Sequence, residues 1–141
     1  MKHSEINWST FIDFLKQQVG KPYVFGAENK LDENDWYQYK AWDCSELMEV
    51  AYYKIGLSLP DGSYNQAKVC PKVVGEILIG DLAFKWNPET EVIHHVGAYI
   101  GNNEIVEAKG KAYGVVITPV QTYMASSHFA FFARHKLVEN A

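Results

Sequence analysis

Apolar residues recur every three or four positions in two stretches of the N-terminal half, which is the spacing of one face of a helix. The first stretch ends before Gly20 and contains Trp8, Phe11, Ile12, Leu15 and Val19. The second stretch ends before Gly56 and contains Leu47, Met48, Ala51, Tyr52 and Ile55. Glycine directly after the last periodic residue is a common helix stop. The pattern predicts a helix over residues 8–19 and a second helix that begins at Cys44.

From residue 76 the pattern changes to short β-rich stretches separated by turn residues. They predict strands over residues 81–85, 94–100, 104–109, 115–120 and 129–135. A further short helix is predicted over Ser63–Val69. Helices followed by strands favour an α+β domain, with N-terminal helices packed on an antiparallel sheet of about five strands.

Residues 26–42 are rich in acidic and aromatic residues without a clear period, which predicts a long loop. Its aromatic side chains have two interpretations: they line a groove, or they pack against the first helix. The chain contains no internal repeat, low-complexity tract or linker. Residues 1–141 are therefore interpreted as a single domain.

Composition narrows the classes of partner. The 141 residues are 48% hydrophobic and 21% charged, which fits one globular core, and the net charge of -4 leaves no broad basic surface for nucleic acid or anionic lipid. No apolar run approaches the roughly 20 residues of a membrane span, and the N-terminal residues lack the apolar segment of a signal peptide. We expect a soluble chain without an export signal of its own.

Cys44 is the candidate nucleophile of the two cysteines, which are both expected to be reduced. Asp43 followed by Glu46 has the form of a capping box, which places Cys44 in the first helical turn. Amide donors and the helix dipole stabilise a thiolate there, while the two carboxylates oppose it. A cationic partner, most naturally an imidazolium, would have to compensate them. Cys70 lacks such surroundings and is interpreted as a buried apolar residue. Its position alone does not decide whether Cys44 is a nucleophile or also a buried apolar residue.

His95 is the candidate base among five histidines, whose spacing does not suggest a zinc site. Strand alternation places His95 with Gly97 and Tyr99 on one face, and His94 with bulky apolar residues on the other. Since only one histidine of the adjacent pair can face the cysteine on this pattern, and glycine clears space beside His95, His95 is preferred.

Glu107 on the next predicted strand is the candidate that orients His95, and the length of the intervening turn decides its position. A two-residue turn directs Glu107 away from His95, whereas a three-residue turn places it on the same face, diagonally across Gly97. A solvated glutamate on a strand face is the other interpretation. The sequence leaves both turn lengths open.

Five short motifs then resemble the NlpC/P60 family of papain-like cysteine peptidases, which act on bacterial cell-wall peptides. They stand in family order, span most of the chain, and read Gly20-Lys21-Pro22-Tyr23-Val24-Phe25-Gly26, Asp43-Cys44-Ser45, Gly80-Asp81-Leu82, His95-Val96-Gly97-Ala98-Tyr99-Ile100-Gly101 and Val106-Glu107-Ala108. The resemblance implies the papain-like NlpC/P60 fold over residues 1–141. It also implies a peptidase that cuts peptidoglycan stem peptides at the D-γ-glutamyl to diamino acid bond, without metal or cofactor.

The resemblance also assigns roles to individual residues. It implies Cys44 as nucleophile, His95 as general base and Glu107 as the third member of the triad, where the family most often has histidine. Tyr23 and Ser45 are expected to contribute to substrate binding and the oxyanion site. Glu46 departs from the glycine that commonly follows Asp-Cys-Ser in the family.

Two other functions remain open: a non-catalytic structural or wall-binding module, and an amidase or acyltransferase on the same fold. The long segment before Asp43-Cys44-Ser45-Glu46 is similar to domains of bacteriophage tail and lysis proteins. The expected partner is a peptidoglycan peptide, with a phage tail or a larger wall-lytic assembly as a further partner. Without a signal, the chain would reach the wall by host lysis, within a virion or by excision from a larger protein.

Overall fold

The structure is a computed structural model that describes residues 1–24 and 41–140. Its helices are α1 (Trp8–Gln18), α2 (Cys44–Tyr53), α3 (Ser63–Val69) and α4 (Val120–Met124). Its strands are β1 (Leu82–Asn87), β2 (Val92–Tyr99), β3 (Glu104–Ala108), β4 (Val115–Pro119) and β5 (Phe129–Ala133). The three predicted helices and five predicted strands are confirmed, with ends that differ by a few residues.

The five described strands form one antiparallel sheet in the order β4-β3-β2-β1-β5. The predicted α+β fold, N-terminal helices on a five-stranded antiparallel sheet, is therefore confirmed. The prediction for the fourth strand was wrong at its end, because Val120 begins helix α4. Pro119 is the N-cap of this helix, and proline has no N–H to continue the strand ladder.

Apolar side chains cover both faces of the sheet. On one face, α2 and α3 pack against β2, and α1 packs against α2. This core contains Phe11, Leu15, Leu47, Met48, Ala51, Val96 and Ala98. On the other face, α4 closes a smaller core that contains Ala83, Ile105, Val120, Tyr123 and Phe132. Burial on both faces fixes the register of the central strands.

Trp42 packs against the first helix and does not line a groove. The side chain is fully buried, lies edge-to-face with Phe14 at 5.9 Å between ring centroids, and donates from Nε1 to Oε1 of Gln18 at 3.2 Å. The other aromatic residues of the predicted loop, Trp36, Tyr37 and Tyr39, lie outside the described residues. Trp42 thus ties the segment before Cys44 to α1. In the part of the chain that the structure describes, no helix has the length and apolarity of a membrane span.

Candidate active site

Cys44 is the first residue of α2, where its thiol meets the positive end of the helix. Asp43 is the N-cap, and its Oδ1 accepts hydrogen bonds from the Glu46 N–H at 2.8 Å and from the Ser45 hydroxyl at 3.2 Å. The N-cap predicted from the sequence is therefore present. Cys44 is only 6% exposed, so a small part of the residue reaches solvent.

Tyr23 is placed beside this helix start by backbone hydrogen bonds on both sides. The Trp42 N–H donates to the carbonyl of Pro22 at 3.1 Å, which forms a bridge between Tyr23 and Trp42. On the other side, residues 20–21 exchange two 2.9 Å hydrogen bonds with Val115 of β4. The Tyr-containing segment is thus held between the residue before Asp43 and an edge of the sheet.

Glu107 lies on the face of His95, as the three-residue turn requires. Ala98 pairs with Val106 and Tyr99 with Ile105, a register that sets Glu107 opposite Gly97. A Cβ added at Gly97 would lie 3.2 Å from the Cβ of Glu107, so glycine leaves the space that this approach needs. Nε2 of His95 is 2.8 Å from Oε1 of Glu107.

Two further residues surround this pair. The Thr118 hydroxyl on β4 donates to Oε2 of Glu107 at 2.5 Å, so both oxygens of the fully buried carboxylate have partners. The Tyr123 ring on α4 stacks against His95 at 6.2 Å between centroids, and its hydroxyl donates to the Ala83 carbonyl at 2.7 Å. The sequence predicted a role for neither residue. Thr118 reaches Glu107 only through the pairing of β3 with β4, and Tyr123 lies on α4, a helix that was not predicted.

The electrostatics of His95 and Glu107 favour an ion pair. Burial lowers the pKa of His95, but hydrogen bonds with Cys44 and Glu107, together with their negative charges, outweigh burial and raise that pKa from 6.5 to about 9. Burial raises the pKa of Glu107, but His95 and Thr118 outweigh it and lower the pKa of this carboxyl. Since Glu107 occupies Nε2, Nδ1 is the ring nitrogen left for the Cys44 sulfur. The raised pKa thus favours a positive charge on His95 beside the Cys44 sulfur.

His94 departs from the predicted alternation. Lys85 pairs with His95 and Trp86 with Ile93, which leaves His94 as an extra residue in a β-bulge. The regular alternation expected from the sequence is therefore interrupted at His94. Its carbonyl oxygen lies 3.9 Å from the Cys44 sulfur, and the exposed His94 lines the pocket that contains Cys44.

Two pockets meet at His94. One, of about 220 Å³, is lined by Cys44 together with Tyr23, Asp43, Ser45, Asp61 and His94. The other, of about 210 Å³, is lined by His95 and Glu107 together with Lys85, His94, Lys109 and His128. We call them the thiol pocket and the cationic pocket. In the thiol pocket, burial first and the negative charges of Cys44 and Asp43 next raise the pKa of Tyr23 to about 12, so its hydroxyl remains a donor.

Cys70 lies elsewhere, buried in the core, and burial raises the pKa of its thiol to about 11. It is not bonded to Cys44, since both cysteines are free. Within residues 1–24 and 41–140, no group of three or more His, Cys, Asp or Glu side chains is arranged to hold a metal ion. The reactive groups that the described site brings together are a thiol, an imidazole and a carboxylate.

These features define a class of α+β protein in which a thiol at a helix start faces a histidine on an antiparallel sheet. The sequence pattern of the NlpC/P60 family matches residues 20–134, which is most of the chain. The chain belongs to the NlpC/P60 family, as the motifs predicted.

Known proteins of the family resemble the chain over most of its length. Peptidoglycan endopeptidase RipB of Mycobacterium tuberculosis is 32% identical over 111 residues, which cover 74% of this chain and 44% of RipB. The crystal structure of an NlpC/P60 family protein from Bacillus cereus matches with a TM-score of 0.75 at 26% identity, covering 92% of this chain and 40% of that one. The chain spans less than half the length of the curated relatives it matches.

The same fold also occurs without catalysis. RipD of Mycobacterium tuberculosis, described as a non-catalytic NlpC/P60 domain protein adapted to peptidoglycan binding, matches with a TM-score of 0.69 at 24% identity, covering 92% of this chain and 97% of that one. At that identity the likeness shows the fold alone. RipB, RipD and the Bacillus cereus protein give no support to the resemblance to bacteriophage proteins, which stays a prediction.

Proposed function

We propose that residues 1–141 form a single catalytic domain, a cysteine endopeptidase that hydrolyses the stem peptides of bacterial cell-wall peptidoglycan. One observation carries the proposal: His95 lies between the Cys44 thiol and the fully buried carboxylate of Glu107, with 2.8 Å between Nε2 of His95 and Oε1 of Glu107. This arrangement gives the thiol both a base and an oriented proton donor. RipB, which is named a peptidoglycan endopeptidase, supports the substrate class.

The proposed reaction begins with attack of the Cys44 thiolate on the scissile carbonyl. The oxyanion that forms accepts hydrogen bonds from the backbone N–H groups at the start of α2 and from the Tyr23 hydroxyl. The His95 imidazolium then gives its proton to the leaving amine as the C–N bond breaks, which leaves a thioester. Water attacks the thioester with His95 as base, so the acid product leaves and the thiolate–imidazolium pair is restored.

In this scheme the Ser45 hydroxyl does not contact the oxyanion. Its hydroxyl donates to Asp43, and it lines the thiol pocket together with Tyr23. We propose that Ser45 contributes to the substrate-binding wall and keeps the N-cap in place. For the bond that is cut, we propose the D-γ-glutamyl to diamino acid linkage, which the family resemblance implies.

The test is incubation of the purified chain with muropeptides of defined structure, followed by mass spectrometry of the products. We expect two new fragments from the wild type and none from Cys44→Ala. Cys70→Ala is the matched control, because it removes the other buried thiol and should retain cleavage. Cleavage by Cys44→Ala, or no cleavage by a folded wild type on any muropeptide, would refute the proposal.

The same assay separates the competing functions. A wall-binding module of the RipD kind would co-sediment with peptidoglycan and release no fragment. An amidase would separate the peptide from the sugar, and an acyltransferase would give a product joined to an added amine. Fragments cut within the stem peptide identify the endopeptidase.

A further inference from the structure

The two pockets beside the nucleophile divide the substrate into two halves. Of the described residues, Cys44 lines the thiol pocket and not the cationic pocket, whereas His95 lines the cationic pocket and not the thiol pocket. In the proposed reaction the sulfur bonds to the acyl half and the imidazole protonates the leaving amine. The thiol pocket therefore suits the acyl half, and the cationic pocket suits the leaving half.

Positive charge dominates the cationic pocket. Lys85 is paired with His95 across the β1–β2 ladder, and its Nζ lies 4.2 Å from the centroid of the Tyr123 ring. Lys109 follows Glu107 by two residues, just past the end of β3, and its Nζ lies 4.5 Å from the Tyr113 ring centroid. Aromatic rings thus restrain both ammonium groups at the pocket.

The carboxylate of Glu107 is paired with His95, so its charge offsets that of the imidazolium. The ammonium groups of Lys85 and Lys109 then leave the lining with a net positive charge. The pKa of His94 is consistent with a positively charged pocket. It is lowered mainly by partial burial and additionally by the positive charges of His95, His128 and Lys85. A pocket with restrained ammonium groups and no uncommitted carboxylate among its lining residues favours an anion.

We infer that the cationic pocket binds a carboxylate on the leaving half of the substrate, through Lys85 and Lys109. This inference rests on the proposed function. Its chemical consequence is selectivity: a leaving diamino acid with a free carboxylate is preferred over the same residue in amidated form. The thiol pocket, lined by Asp43 and Asp61, has the opposite charge, so it disfavours the reversed binding mode.

The test measures binding in the Cys44→Ala background, where peptides are not turned over. The probes are three tripeptides of L-alanine, γ-linked D-glutamate and meso-diaminopimelate. The first has all carboxylates free, the second has the diamino acid carboxylates amidated, and the third has only the glutamate α-carboxylate amidated. Isothermal titration calorimetry gives a Kd for each.

We expect the second peptide to bind about tenfold more weakly than the first, which is the loss of one charge-assisted contact. The third should bind at least as tightly as the first, because the acyl half faces the acidic thiol pocket. Adding Lys85→Met or Lys109→Met should weaken the first peptide several-fold and leave the second within about twofold. Lys68→Met is the matched control, since Nζ of Lys68 also lies over an aromatic ring, 4.6 Å from the centroid of Tyr64, and Lys68 lines neither pocket. It should change neither Kd.

Failure of this inference can be told apart from failure of the proposed function. Equal Kd values for the first two peptides, equal weakening of both by the lysine variants, or no binding of any peptide would overturn the inference. Weaker binding of the third peptide alone would mean that the pocket holds the glutamate carboxylate of the acyl half. That result would also overturn the inference. Carboxylate-dependent binding without cleavage by the Cys44-containing chain would support the pocket and refute the peptidase.

Discussion

Replacing Glu107 with glutamine should move the alkaline limit of activity toward neutral pH. The change keeps the size of the side chain and removes the charge that faces Nε2 of His95. The rise of the His95 pKa from 6.5 to about 9 corresponds to about 3 kcal/mol of preference for the imidazolium, net of burial. Cys44 and Glu107 both contribute to this preference. Losing the Glu107 charge should therefore lower the thiolate–imidazolium population roughly tenfold, which corresponds to about 1.4 kcal/mol.

The sign of the pH dependence follows from the raised pKa. Because the pKa of His95 is raised to about 9, we expect the basic limb of kcat/KM of the wild type near that pH. In Glu107→Gln this limb moves down, and kcat/KM at neutral pH falls roughly tenfold. The free energy of unfolding changes with pH in the same direction. The stabilisation from protonated His95 and its partners is fully present below pH 6.5 and is lost as the pH rises through about 9.

The assay is a fluorogenic muropeptide hydrolysed across the pH range, together with chemical denaturation at a pH on each side of the window. Glu104→Gln is the matched control, since Glu104 lies on the same strand and lines neither pocket. It should leave the profile unchanged. A basic limb of Glu107→Gln that coincides with the wild type, or a kcat/KM within twofold of it, would refute this account of His95.

Three further substitutions test other contacts of the site. Thr118→Val removes the donor to Oε2 of Glu107, and leaving a buried carboxylate oxygen without a partner should cost about 1–3 kcal/mol in thermal unfolding and lower kcat/KM. Gly97→Ala places a Cβ 2.8 Å from Cγ2 of Ile105, so overpacking should destabilise by about 1–3 kcal/mol in denaturant titration and displace Glu107. Tyr23→Phe removes one oxyanion donor, and we expect kcat to fall at least tenfold with little change in KM, measured by steady-state kinetics. An unchanged kcat would exclude the hydroxyl from the reaction.

The sequence predicted the elements because their signals are local. Amphipathic spacing, the glycine stops and the Asp43 N-cap act within a few residues, so α1, α2 and the strands were predicted close to their observed positions. The sequence left two lengths open for the turn between β2 and β3, two or three residues. The observed pairing of Ala98 with Val106 shows that the turn has three residues. Hairpin register depends on turn geometry, which the local pattern restricts without fixing.

The residues that surround the candidate triad could not be predicted from the sequence, because they reach it only through tertiary contacts. Thr118 reaches Glu107 through the pairing of β3 with β4, and Tyr123 reaches His95 through a five-residue helix too short for a periodic signal. The bulge at His94 breaks an alternation that the sequence alone shows as regular. The cationic pocket joins side chains from β1, β2 and the chain after β3, so its charge became visible only in three dimensions.

Strand β4 stands at one edge of the sheet and supplies both sides of the site. Its Thr118 holds Glu107, and its Val115 holds the backbone just before Tyr23. Edge strands open locally at lower free energy than interior ones. Warming that detaches β4 would therefore displace Glu107 and the Tyr23 segment together, while the helices and inner strands persist. Under the proposed function, cleavage would then be lost at a lower temperature than the one at which the whole domain unfolds.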